Sequence, residues 1–193
     1  FHKPEEKISV QLGDGKLLSQ LTKKTVVYDF RQNDIKNGGQ GAPLTPIFHK
    51  SIKSKINRRV ETPVIFINIG GISNATCFHN YLGKESKMFA GDIGPGNCLI
   101  DEWIRKNSKY KYDEHGSIAR SGKINHSILK QALNNFQFLI KSSLDIKDFD
   151  ISFVRGLSLE DGAATLTDFT ASIIDIGLAN LIKKNKHEDE LHN

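Results

Sequence analysis

Cysteine is scarce in this chain. The 193 residues hold two, Cys77 and Cys98, and they are not at C-x-x-C spacing. Two thiols so placed exclude a disulfide framework and a thiolate metal site, and make a reducing, cytoplasmic setting the expectation. Long apolar runs are missing as well. The longest, Val64 to Ile67, stops at Asn68, far short of the roughly 18 consecutive apolar residues of a membrane span, so no membrane partner is expected. Charge of one sign is not concentrated. Lys and Arg number 27 against 22 Asp and Glu, a net +5, which suits an anionic ligand but is too mild for a nucleic-acid surface. The seven histidines are scattered, with no H-E-x-x-H pair, so no protein-held metal site is expected. The chain begins at Phe1, not Met, and its first residues form neither an apolar signal core nor an Arg-rich transit face, so it reads as part of a longer protein.

Hydrophobic residues at 38% and charged residues at 25% describe a globular chain long enough for one ordinary domain or two small ones. Ile8 to Leu12 alternates before Gly13-Asp14-Gly15 and predicts a strand, with a short helix over Lys16 to Leu21. Thr25 to Tyr28 is β-branched and predicts a buried strand that runs into a polar, glycine-bearing loop, Asp29 to Gly41. Pro43 is expected to open a helix ending in the basic stretch His49 to Arg59. Val64 to Ile69 gives the strongest strand signal, and Gly70-Gly71 predicts a hairpin into Ser73 to Phe78. Lys87 to Gly91 reads as a third strand ending at Asp92. Gly94-Pro95-Gly96 then leads to a helix over Asn97 to Lys106, with Leu99, Ile100, Trp103 and Ile104 inward. Asn125 to Phe136 fits an amphipathic helix, and the stretch from Phe136 to Gly156 is irregular. Ser158 and Asp161 match a capping box that opens a long helix, with Leu166, Phe169, Ile173, Ile176 and Ile182 near helical spacing, before a charged tail. These elements predict an α/β fold, a mixed sheet with flanking helices.

Three clusters carry chemistry. Asp92 precedes Ile-Gly-Pro-Gly-Asn, which sets a carboxylate beside a turn of little side-chain bulk, Gly94 to Asn97, and a helix start. Free amides there attract anions, and an ionised aspartate can take a proton from water or a hydroxyl. The plainer alternative is that Asp92 caps the helix. The run Asn68 to Asn74, with Gly70 and Gly71, offers unobstructed amides able to form an anion-binding nest, or else a type I′ hairpin turn. It is neither a P-loop nor a dinucleotide fingerprint. In the loop from Asp29 to Gly41, Asp29, Arg31, Asp34 and Gln40 suit a polyhydroxylated ligand, with Arg31 able to grip a carboxylate. The alternative there is a loop that satisfies its own backbone through Asp and Asn side chains.

Four blocks in order, Asp29 to His49 (DFRQNDIKNGGQGAPLTPIFH), Asn68 to Asn74 (NIGGISN), Gly91 to Trp103 (GDIGPGNCLIDEW) and Leu157 to Ala171 (LSLEDGAATLTDFTA), resemble the anhydro-N-acetylmuramic acid kinase family. That family belongs to the sugar kinase, Hsp70 and actin superfamily. The resemblance implies an incomplete actin-like ATPase fold, with residues 1–63 ending an N-terminal domain that carries a substrate loop and residues 64–193 starting a C-terminal actin-like domain. It implies ATP and magnesium as cofactors. The implied reaction is conversion of 1,6-anhydro-N-acetylmuramic acid to N-acetylmuramic acid 6-phosphate in peptidoglycan recycling, with water opening the anhydro ring. Asp92 matches the family's general base. Asp29, Arg31, Asp34 and Gln40 fall to the sugar, and Gly70, Gly71, Asn74, Gly94, Gly96 and Asn97 to phosphates. The family's opening MSGTSxDG and closing GGGxxN blocks are not in this sequence, so weak or no kinase activity is expected of the chain by itself. Ile93 stands where the family commonly has threonine. The resemblance leaves a homodimer open. Two rival readings are a non-catalytic glycan-binding module built on the Asp29 to Gly41 loop and an interaction domain using the basic Lys50 to Arg59 face.

Overall fold

A computed structural model describes residues 2–3, 6–56, 63–79, 87–136 and 144–190. The chain forms two compact units, Phe1–Phe48 and His49–Asn193. In the first, β1 (His2–Lys3) pairs antiparallel with β2 (Ile8–Ser9). The expected strand Ile8 to Leu12 is thus cut to two residues. Helix α1 (Gly15–Thr22) starts where Asp14 accepts hydrogen bonds from the amides of Lys16 and Leu17, which satisfies donors that the first turn leaves over. Thr25 to Tyr28 is not a strand, and Val27 and Tyr28 are exposed. β propensity needs a ladder partner, and no described segment pairs with it.

The predicted polar loop contains a helix, α2 (Phe30–Lys36), whose Ile35 is buried. The seven residues FRQNDIK contain neither Gly nor Pro, and one buried apolar side chain is enough to seat two turns. Gln32 Nε2 donates to the Ser9 carbonyl at 2.5 Å and ties this helix to β2. Helix α3 (Pro46–Lys55) crosses from one unit to the next. Its His49, in the second unit, stacks its ring on Phe66, with centroids 4.8 Å apart, and sets its Nδ1 2.9 Å from Thr76 Oγ1. The end of the predicted basic stretch, residues 57–59, lies outside the described residues.

The second unit is built on three antiparallel strands in the order β3 (Val64–Ile69), β4 (Ile72–His79) and β5 (Lys87–Pro95). The expected mixed sheet is antiparallel throughout its described strands, since each neighbouring pair is also consecutive in the chain with few residues between, and a parallel pair needs a long crossover. Strand β3, the most apolar in sequence, lies at the edge and leaves Ile67 and Ile69 half-exposed, while β4 buries Ser73, Ala75, Thr76, Cys77 and Phe78.

Helix α4 (Cys98–Asn107) follows β5, then the short α5 (Ser117–Ser121), α6 (His126–Asn135) and the 32-residue α7 (Leu159–Glu190). Asn125 Oδ1 accepts from the Ile128 amide and starts α6. Asp113 uses both carboxylate oxygens on the amides of Ile118 and Ala119, at 2.8 and 2.9 Å, to start α5. At α7 the Asp161 amide donates to Ser158 Oγ at 3.1 Å, as the capping box predicts, but Asp161 turns its own carboxylate to the Lys123 amide, at 2.7 Å. Only half of the box forms, and the other half ties α7 to the segment before α6.

The core gathers Leu99, Trp103, Ile104, Leu129, Ile151, Val154, Ala163, Leu166, Phe169 and Ile173. Trp103 donates from Nε1 to the Leu159 carbonyl at 2.9 Å, which fastens α4 to the start of α7. The inward series Leu166, Phe169 and Ile173 continues at Gly177, not Ile176, which is 40% exposed. A Cβ at Gly177 would lie 1.9 Å from the Ile93 carbonyl oxygen, so only glycine lets α7 come this close to β5. By length and composition alone α7 is apolar enough to cross a membrane. Its inner face, however, packs on β5, α4, α5 and α6, which is what a core helix requires.

Candidate active site

Strand β5 does not stop at Asp92 but runs on to Pro95. Asn74 pairs with Asp92 and Ser73 with Gly94, so Ile93 is an extra residue on β5, a β-bulge. Bulges of this kind re-aim neighbouring side chains. Ile93 points into the core, 1% exposed, while Asp92 and its cross-strand neighbour Asn74 are half-buried. The Asp92 Oδ2 accepts a hydrogen bond from the Leu144 amide at 2.7 Å. The capping position of α4 is held by Asn97, whose side chain makes no cap bond.

The β3–β4 hairpin turns around Gly71. Its register pairs Ile69 with Ser73, leaving three residues between them, and neither Gly70 nor Gly71 has a positive φ. A type I′ turn needs two central residues, both at positive φ, so that alternative does not hold here. The hairpin tip is sewn to the next turn along the chain. The Gly96 amide donates to the Gly71 carbonyl at 2.9 Å, and the Asn97 amide to the Gly70 carbonyl at 2.6 Å. Ser73 Oγ donates to the Pro95 carbonyl at 2.9 Å. A Cβ at Gly96 would stand 2.1 Å from the Gly70 oxygen, so the two turns meet only because Gly96 lacks one.

This packing divides the six residues expected at phosphates. The amides of Gly96 and Asn97 are spent on carbonyls within the protein, whereas the Gly70 and Gly71 amides donate none of the turn hydrogen bonds found among the described residues. Gly94, at φ 149°, sits against Ile173 of α7 and shapes the turn. Among the described residues, the Gly70 and Gly71 amides and the half-buried Asn74 remain as groups that can meet an anion.

In the first unit, Asp29 holds a left-handed φ of 64° just before α2 and makes no cap bond. Asp29 and Gln40 are exposed, and Arg31 is half-buried. Asp34 Oδ2 accepts from the Gly41 amide at 2.7 Å, and Asn37 Nδ2 donates to the Asn33 carbonyl at 2.7 Å. For Asp34 and Asn37 the side chains therefore do serve their own loop.

Elsewhere in the second unit, a cavity of about 700 Å³ is lined by Asn97, Ile100, Asp101, Tyr112, Arg120 and Asp168, among others. Of the residues expected in the site only Asn97 reaches it, so this cavity is not built around Asp92. Among the described residues no three His, Cys, Asp or Glu side chains gather to hold a metal ion. The residue that sequence reasoning missed is Leu144. A backbone amide leaves no mark in a sequence, and it lies in the stretch from Phe136 to Gly156 that reads as irregular.

The family model for anhydro-N-acetylmuramic acid kinase matches residues 1–186. The anhydro-N-acetylmuramic acid kinase of Pelagibacter ubique is 54% identical over 177 residues, covering 90% of this chain and 46% of the relative. Those of Agrobacterium fabrum and Zymomonas mobilis are each 42% identical over 176 residues, with the same coverage. The chain spans about half the length of the curated relatives it matches.

Proposed function

The chain belongs to the anhydro-N-acetylmuramic acid kinase family, and from that premise we propose that it carries the general base and one phosphate-binding turn of an ATP-dependent kinase acting on 1,6-anhydro-N-acetylmuramic acid. The observation that carries this reading is the placement of Asp92. It lies at the Ile93 bulge, paired across the ladder with Asn74, on a strand whose end is fastened to the Gly70–Gly71 turn. One carboxylate and a turn whose Gly70 and Gly71 amides donate none of the turn hydrogen bonds found among the described residues are thereby held in a single unit.

In this reading the Asp92 carboxylate takes a proton from water, and the water oxygen attacks the anomeric carbon of the sugar. The bond from that carbon to O6 breaks, and O6 takes the γ-phosphoryl group as ADP leaves. The amides of Gly70 and Gly71, with Asn74, bind phosphate oxygens and oppose the charge that grows on them during transfer. Magnesium on the nucleotide supplies further charge neutralisation. Ile93, where the family commonly has threonine, faces the core and leaves sugar recognition to other residues. In the first unit, Asp29, Arg31, Asp34 and Gln40 are assigned to sugar hydroxyls and carboxylate, with Asp34 also ordering its loop. The fold of the whole is assigned to the actin-like ATPase type.

The experiment is a reaction in ¹⁸O-labelled water, with the polypeptide extended to the length of its relatives, the anhydro sugar and ATP. One labelled oxygen at the anomeric carbon and one ADP per sugar 6-phosphate are expected. Calorimetric binding of the sugar with no product and no effect of nucleotide would instead make the protein a glycan-binding module.

A further inference from the structure

Asp92 is held by a group 52 residues away in sequence. The Leu144 amide that donates to its Oδ2 begins a compact turn, Ile146–Asp148, which is closed reciprocally. The Asp145 amide donates to Asp148 Oδ2 at 2.9 Å, the Lys147 amide to Asp145 Oδ1 at 3.1 Å, and the Asp148 amide to the Asp145 carbonyl at 2.9 Å. The turn also leans on the hairpin tip, since Ile146 Cδ1 would be 3.7 Å from a Cβ at Gly71. One short segment therefore touches both the carboxylate read as the base and the turn read as the phosphate site, and its own bonds hold it in shape for both.

We propose that Leu144 is a positioning residue, its backbone amide fixing the orientation of the Asp92 carboxylate for proton abstraction. This rests on the reading of Asp92 as the base. An N–H bond to a carboxylate is charge-assisted and directional. Accepted at Oδ2, it stops the carboxylate from rotating about the Cβ–Cγ bond. Proton abstraction depends on such orientation, and a base displaced by about 1 Å loses on the order of 100-fold in rate. The bulge at Ile93 aims the side chain, and the Leu144 amide fixes its plane. The donor belongs to the backbone, so most substitutions at position 144 retain it and proline removes it.

Hydrogen exchange on the ¹⁵N-labelled chain as it stands gives a test that needs no activity. The Leu144 amide is expected to exchange about tenfold or more slowly than an open amide and to lose that protection in Asp92→Ala, while the Asp148 amide, bonded to Asp145, keeps its own. A Leu144 exchange rate that ignores Asp92→Ala would overturn the proposal. In the polypeptide extended to the length of its relatives, Leu144→Pro is expected to lower kcat by about 10- to 100-fold, with the KM for sugar within about twofold and the melting temperature held. Leu144→Ala, which keeps the N–H, should recover most of that loss. If Asp92→Asn stops the reaction and Leu144→Pro does not slow it, the positioning role is wrong and the base assignment stands. If Asp92→Asn reacts at the normal rate, both fall, whatever the exchange data show.

Discussion

Replacing Gly96 by alanine probes the join between the two turns that frame Asp92. The new methyl would stand 2.1 Å from the Gly70 carbonyl oxygen, 3.0 Å from its carbon and 3.1 Å from Ser73 Oγ. The first two are backbone atoms, which no rotamer change can clear, so the turns must separate. Separation strains or breaks the hydrogen bonds from Gly96 to Gly71 and from Asn97 to Gly70. Overpacking costs about 1–3 kcal/mol and each of the two weakened hydrogen bonds about 1 kcal/mol, so the loss should be about 3–5 kcal/mol. For a chain of this size that is a fall of melting temperature on the order of 10 °C. Gly91→Ala is the matched control. Its Cβ would meet nothing within 4 Å and its φ is not in the left-handed region, so the change should be neutral or stabilising by a few tenths of a kcal/mol, because alanine restricts the unfolded chain. Urea and thermal denaturation of both variants measure the contrast. Equal stabilities for Gly96→Ala and Gly91→Ala would refute the close approach of the two turns.

Other outcomes follow from the same packing. Trp103→Phe removes the donor to the Leu159 carbonyl at the head of α7 and should cost about 0.5–1.5 kcal/mol in urea denaturation, the net worth of one hydrogen bond whose acceptor keeps its helical partner. Burial raises the thiols of Cys77 and Cys98 above their ordinary range. Both should therefore react slowly with a thiol reagent at pH 8 in the folded protein and promptly in denaturant; rapid labelling of the native chain would contradict their burial. The Asp150 carboxyl is held below its usual value of 3.8, first by the Ser152 hydroxyl and then by backbone amides. A depressed folded-state pKa stabilises the fold above the unfolded value, and that stability is lost as pH falls through the folded one. Ser152→Ala should thus lower stability slightly at pH 7, leave it nearly unchanged once the pH has fallen below the folded-state pKa, and so flatten the fall between the two, as urea unfolding followed by circular dichroism at both pH values will show.

What could be read in advance depended on whether the signal was local. Asn125 and Ser158 marked helix starts because each side chain bonds the amide three residues on, and Asp14, which reads as part of a turn, does the same. The strand pair around Gly70-Gly71 was legible from alternation and glycine, but its three-residue turn was not, since register is settled by the facing strand. Thr25 to Tyr28 has strand composition and no ladder, and Asp29 to Gly41 has loop composition and a helix, because a partner decides the first and one buried side chain, Ile35, decides the second. The importance of Asp92 was visible in its neighbours. Its β-bulge and its bond to Leu144 were not, because one depends on cross-strand register and the other on a backbone group far along the chain. Gly177 reads in sequence as a weak point of a helix and serves in the fold as the contact that admits the Ile93 carbonyl.

The central claim is that the Asp92 carboxylate accepts the proton in phosphoryl transfer to the anhydro sugar, and the most direct measurement is the single-turnover rate of Asp92→Asn in the polypeptide extended to the length of its relatives. Asparagine keeps the side chain's size and an oxygen to accept from the Leu144 amide but cannot take up a proton. The account predicts a loss of about 100-fold or more with sugar and ATP binding retained. A variant that forms the 6-phosphate at close to the normal rate would contradict it.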